Sequence, residues 1–210
     1  MSDSPPHRDL VVLVADKDME QTLKGLLGRP QALAIREIDF QVYPHPGKDG
    51  GCRTQGVTFL RNFCQQFEHA LLLFDREGSG GEAELSEQLE DELERGLRKN
   101  GWSDRGAVIV IDPELEIWVW SDSSEVDQVT GWASRIPSLR DWLVEEEFLE
   151  NPESKPERPK EAFRHALRHV RKQPSSALFR MLSERVSFRR CQDRAFAKLK
   201  QKLQEWYPQA

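Results

Sequence analysis

Residues 70–112, ALLLFDREGSGGEAELSEQLEDELERGLRKNGWSDRGAVIVID, hold the reading that decides the fold. Ala70–Phe74 is apolar without interruption and too short for a helix, the pattern of a strand covered on both faces. It stops at Asp75-Arg76-Glu77 and a glycine loop, Gly78–Gly81. Glu82–Lys99 then sets Leu85, Leu89, Leu93 and Leu97 on one helical stripe, with acids around the rest. Ala107–Ile111 is a second apolar run, ended by Asp112-Pro113. Strand, long helix, strand is the unit that builds a parallel sheet.

The same rhythm extends toward the N-terminus. Leu10–Ala15 (LVVLVA) reads as a buried strand, and Asp16–Leu27 follows as a helix with Met19, Leu23, Leu26 and Leu27 on its apolar face. Gly28-Arg29-Pro30 ends that helix. Ala32–Tyr43 alternates through Ile35, Ile38, Phe40 and Val42 and predicts another strand; Pro44–Gly51 (PHPGKDGG) predicts a loop. Val57–Phe67 predicts a helix with Phe59, Leu60, Phe63 and Phe67 along one face. The expected fold class is α/β: a mainly parallel four-stranded sheet flanked by helices.

Beyond residue 112 the character changes. Leu115–Asp122 fits a strand or a helix, and Ser138–Phe148 a helix. Asn151–Pro159 (NPESKPERP) reads as a Pro- and charge-rich linker. Lys160–Lys172, Ser175–Val186 and Arg189–Trp206 read as helices. The expected organisation is an α/β domain over 8–150, a linker over 151–159 and a basic α-helical C-terminal region over 160–208.

Composition narrows the function classes. The chain has 210 residues, 38% hydrophobic and 31% charged, with six Trp and ten Phe, enough apolar material for a core. Its longest apolar runs are far short of the ~20 residues of a membrane span, so no membrane partner is expected. The start, MSDSPPHRD, lacks a signal pattern, and three separated cysteines give no disulfide framework. These point to the cytoplasm. The net charge of −6 divides unevenly: residues 151–210 hold 15 basic and 6 acidic residues, leaving 15 basic and 30 acidic in the first 150.

In parallel sheets, ligands bind beyond the C-terminal ends of the strands. Three strands here end in acids: Asp16 and Asp18 with Glu20 a turn later, Asp75 with Glu77, and Asp112 with Glu114 and Glu116. Neighbouring strands lie about 4.8 Å apart, so such tips converge. All-oxygen donor sets suit Mg²⁺ or Mn²⁺. Asp16, Glu20, Asp75, Glu77, Asp112 and Glu114 are the expected metal ligands, with Asp16, Glu20, Asp75, Glu77 and Glu116 the expected catalytic carboxylates. Single acids at such positions also serve as helix caps and turn formers.

Three stretches together resemble the TOPRIM domain of topoisomerases, primases and the overcoming-lysogenization-defect nucleases. VLVADKDMEQTLKGLL (12–27) is similar to its opening strand and helix, and LLLFDREGSG (71–80) to its Asp-x-Asp strand, with Glu77 in the second acidic place. DPELEIWVWSD (112–122) resembles a segment of small stand-alone TOPRIM-like proteins encoded beside ATPases in anti-phage defence loci. The resemblance implies a Mg²⁺-dependent nuclease working with a partner ATPase, in which metal-activated water attacks a phosphodiester. The family's first strand ends in Glu-Gly; here Ala15-Asp16 stands there, so the acid falls to Asp16, Asp18 or Glu20. That departure carries the alternative, a catalytically degenerate binding or regulatory subunit. A phosphatase or nucleotide-binding protein would also place acids at strand tips.

The basic half supplies candidates for nucleic acid as a partner: Arg164, Arg168, Arg171, Lys172, Arg189, Arg190 and Lys198. The other use of these charges is docking on the acidic first half. His165 and His169 are four apart but lack further zinc ligands nearby, so they read as part of a basic face. The acid-rich helix over 82–99 is expected to face water. Trp118, Trp120, Trp132 and Trp142 are expected to pack rather than stack on bases.

Overall fold

Strand β1 (Arg8–Val14) is fully buried from Leu10 onward because it lies inside a four-stranded sheet. A computed structural model describes residues 8–121, 123–187 and 191–209. With β2 (Phe40–Pro44), β3 (Phe67–Asp75) and β4 (Gly106–Ile111), the order is β2-β1-β3-β4, every pair parallel. Val12 sits between Val42 and Leu71, and Leu72 faces Val108. Parallel register brings Val14, Pro44, Asp75 and Ile111 to one edge of the sheet. The α/β fold with a parallel four-stranded sheet agrees with the expectation from the sequence.

Helix α1 (Lys17–Leu27) starts where Asp16 Oδ1 accepts the N–H groups of Asp18 and Met19, at 2.9 and 3.0 Å. The second strand is shorter than the alternation over 32–43 suggests. Pro30 opens a one-turn helix, α2 (Pro30–Leu33), and Ile35 is buried in a bridge to Pro208 instead of a strand. The predicted loop over 44–51 is partly helical: α3 (Lys48–Arg61) begins inside it and ends before Phe67, which opens β3. Tertiary packing overrides propensity there. A Cβ on Gly51 would lie 2.2 Å from His45 Nδ1, so glycine is needed for the helix to pass this ring.

Helix α4 (Ser86–Leu97) does not present all its acids to water, contrary to the charge pattern. Glu90 is buried, its Oε1 accepting the Val110 N–H at 2.8 Å, and Glu94 Oε1 accepts the Val108 N–H at 3.1 Å. These groups line the outer edge of β4, which has no neighbouring strand; an edge left bare would expose unpaired backbone donors and acceptors. A 3-10 turn (Leu115–Trp118), α5 (Ser124–Thr130), α6 (Leu139–Glu145), α7 (Pro159–His169), α8 (Ser176–Arg185) and α9 (Arg194–Trp206) follow. Residues 115–118 are therefore neither strand nor α-helix, and α5 is a helix that the sequence pattern does not predict.

Helix α9 completes the covering of β4. Arg194 holds Glu90 at 2.8 Å and the Val110 carbonyl at 2.8 Å, while Lys198 holds Glu90 at 3.1 Å and Glu94 at 2.8 Å. The segment 151–159 is packed against its surroundings: Arg140 donates to the Pro152 and Ser154 carbonyls, Lys155 donates to the Ile117 carbonyl, and Pro156 and Pro159 are buried. Trp120, Trp132 and Trp142 are buried and Trp118 is half-buried, with indole N–H groups of Trp118, Trp120 and Trp132 donating to Asp193, Pro159 and Ala166. Among the described residues, no helix is long and apolar enough to cross a membrane.

Candidate metal centre

Asp75 ends β3, where the strand leaves the sheet, and the chain after β4 turns back over the same edge through Glu114 and Glu116. One carboxylate oxygen from each of Asp75, Glu114 and Glu116 lies within 4.8 Å of the others, and all three side chains are buried. Asp75 Oδ1 has no hydrogen-bond partner although it is shielded from water. A buried, unpaired carboxylate oxygen is costly unless something positive meets it. Three buried carboxylates with close oxygens, one of them carrying an unpaired oxygen, fit a hard divalent cation.

Further charges surround this trio. Asp49, in the first turn of α3, accepts the Asp75 backbone N–H at 2.9 Å. Asp18 accepts the Ser176 hydroxyl at 2.6 Å, which links α1 to α8. Lys160 Nζ lies 3.0 Å from Glu114 and 4.0 Å from Glu116, and the Lys160 backbone N–H donates to Glu114 at 3.1 Å. Glu114 therefore caps the N-terminal turn of α7, whose dipole favours a negative group there.

The titration of these groups follows from burial and crowding. Burial pushes the Asp75 carboxyl well above its ordinary range, and Asp49, Glu116 and Glu114 push it further, against the pull of Lys160. Burial raises Glu116 to about 7, with Glu114 adding to it and Lys160 opposing. Burial also raises Asp49 and Asp18, with Asp16 contributing to both. For Lys160, burial favours the neutral amine, but Glu116, Glu114 and Asp75 outweigh it and the pKa rises. Several carboxyls resist ionisation here because too few positive charges face them.

Of the acids expected from sequence, the fold brings Asp75, Glu114 and Glu116 into one cluster, with Asp16 in electrostatic range of Asp18 and Asp49. It places the others elsewhere. Glu20 pairs with Lys24 along α1 at 2.5 Å. Glu77 points outward from the loop after β3, and its side chain is exposed. Asp112 turns to Arg76 at 2.9 Å, with the Ser86 hydroxyl at 3.4 Å. The cluster also includes two residues that the sequence pattern does not single out, Asp49 and Lys160; Asp49 sits in a glycine-rich stretch of loop composition, although it follows a parallel strand as the other tip acids do.

The basic candidates also divide. Lys198 is engaged by Glu90 and Glu94, and Lys172 donates to the Val129 carbonyl. Arg189 and Arg190 lie outside the described residues. Arg164, Arg168 and Arg171 are exposed. His165 stacks on Trp142 and contacts Glu146 at 2.9 Å, while His169 stacks on Trp132. No family model, no curated protein and no solved structure matches the chain.

Proposed function

We propose that this protein is a TOPRIM-type, Mg²⁺- or Mn²⁺-dependent phosphodiesterase acting on nucleic acid. The observation that carries the reading is Asp75: a buried carboxylate with an unpaired oxygen, facing Glu114 and Glu116 across a gap of ion-binding size. Asp75, Glu114 and Glu116 would hold the ion, with Asp49 fixing the Asp75 backbone. A bound divalent ion supplies Lewis acidity and a hydroxide-like water for phosphodiester hydrolysis. Lys160 keeps its proton and offers positive charge beside the phosphate. The resemblance in the sequence adds a partner ATPase and anti-phage defence as the setting.

Incubation with plasmid and Mg²⁺ or Mn²⁺, alone and with an ATPase encoded beside it, tests this. Cleavage that Asp75→Asn removes is the expected result; no cleavage under either condition sinks the enzymatic reading. One observation favours the alternative of a non-catalytic binding or regulatory subunit. The Lys160 ammonium already neutralises part of the cluster from 3.0 Å. Titration calorimetry separates the two, since a subunit of that kind gives no saturable heat with either ion.

A further inference from the structure

Helix α7 connects the acidic cluster to open surface. Lys160, in its first turn, faces Glu114 and Glu116. Arg164 and Arg168 follow at intervals of four residues, with Arg171 in the turn just beyond, its N–H bonded to the Arg168 carbonyl at 3.0 Å. Lys160, Arg164 and Arg168, spaced by four, share one helical face, while Arg171 lies past the helix end, where a left-handed backbone (φ 57°) turns the chain. The opposite face, with Ala162, Phe163, Ala166 and Leu167, is buried in the core. Arg164 and Arg168 are therefore held outward by the packing of their own helix, and Arg171 is exposed in the turn that follows.

Their electrostatic surroundings leave this charge available. Arg164 is within range of Asp18 near the cluster. Among the described residues, Arg168 and Arg171 form no ion pair, whereas Arg158, Arg180, Arg194, Lys198 and Lys202 all have carboxylate partners. At about 1.5 Å rise per residue, the step from Lys160 to Arg164 and from there to Arg168 is about 6 Å. That places cations in a single file leading from the buried carboxylates.

We propose that this stripe is a docking track for one single strand of nucleic acid, whose phosphates meet Arg171, Arg168 and Arg164 in turn and lead toward Lys160. The inference rests on the phosphodiesterase reading for the direction of travel and for the choice of a single strand. A single strand is favoured over a duplex because Asp75, Glu114 and Glu116 are 6–7% exposed. A duplex holds its backbone on a stiff cylinder, while a single strand can bend a phosphate toward groups so little exposed. One row of cations also matches one backbone.

The test is binding of a labelled single-stranded oligonucleotide in EDTA over a series of salt concentrations, so that hydrolysis plays no part. Arg168→Gln and Arg171→Gln should each weaken binding and make the plot of log affinity against log salt shallower by about 0.7, and the triple variant with Arg164→Gln by about 2. Arg61→Gln, on exposed α3 surface, serves as control and should change neither. Unaltered circular dichroism checks that the variants are folded. Absence of binding by the wild type at low salt, unchanged slopes in the variants, tighter binding of a duplex, or equal displacement by polyglutamate would each overturn the track. Hydrolysis of a small phosphodiester with no oligonucleotide binding would refute the track and leave the phosphodiesterase reading standing.

Discussion

Asp49 Oδ1 accepts the backbone N–H of Asp75 at 2.9 Å, tying the first turn of α3 to the tip of β3. A carboxylate thus fixes the backbone of a second carboxylate while raising its pKa. Asp49→Ala removes the acceptor from a part-buried donor and should destabilise the protein by about 1–3 kcal/mol. Asp49→Asn keeps an acceptor oxygen and sheds the charge, so it should destabilise less. Urea midpoints of the two variants check the order, and an equal or reversed order would mean that the acceptor for the Asp75 N–H contributes nothing to stability.

Asp75 should show opposite effects with and without metal. Burial and like charges penalise its ionised form, so Asp75→Asn should raise the melting temperature in EDTA, each kcal/mol being worth about 2–4 °C at this chain length. Wild type should gain about 2.7 kcal/mol at a Mn²⁺ or Mg²⁺ concentration 100 times its dissociation constant. The variant should lose that gain. A metal-dependent shift that survives in Asp75→Asn places the ion elsewhere.

Glu90 joins α4, β4 and α9. Its carboxylate takes the Val110 N–H, Arg194 and Lys198 at once while 3% exposed. Glu90→Ala strands the buried Val110 N–H, while Arg194 and Lys198, both partly exposed, keep Glu87 and Glu94, so it should cost about 1–3 kcal/mol. Glu90→Gln retains an acceptor for Val110 and should cost clearly less. Chemical denaturation reads both, and equal losses would assign the whole effect to charge.

Stability should also fall in mild acid through His69. Its Nδ1 lies 3.0 Å from the Tyr207 hydroxyl, whose own proton goes to the Asp9 carbonyl at 2.9 Å, so the neutral ring donates from Nδ1. Burial, assisted by Arg105, lowers its pKa from 6.5 to about 4. The unfolded chain then takes up a proton that the folded one refuses. Stability from this residue is complete above about 6.5, declines as pH falls toward about 4, and is flat below. Urea midpoints across that window should fall more steeply for wild type than for His69→Gln; parallel curves would remove His69 as the source.

Much of the fold was legible in apolar runs. Leu10–Ala15, Ala70–Phe74 and Ala107–Ile111 can be strands only if both faces are covered, and they are. Ala32–Tyr43 misled because Ile35 is buried by a bridge to Pro208, far away in the chain, which mimics alternation. The helix over 48–61 is obscured by its glycines, of which Gly51 lets the backbone pass close to the His45 ring, a fit that hydrophobic periodicity does not display. Charge misled in the same way: the acids of α4 and the bases of α9 neutralise each other across the edge of β4.

For the candidate site, chain order was enough to bring acids to one edge of a parallel sheet, because parallel strands end on the same side. It could not say which acids meet. That depends on how each loop leaves its strand: Asp112 turns to Arg76, Glu77 to solvent, and Glu114 and Glu116 back over Asp75. Lys160, 44 residues beyond Glu116, joins them only because α7 packs its apolar face on the core and points its first turn inward. Local hydrophobic periodicity determines strands and helices, since it acts over a few residues; the carboxylate cluster is a product of packing between segments, which only the tertiary structure decides.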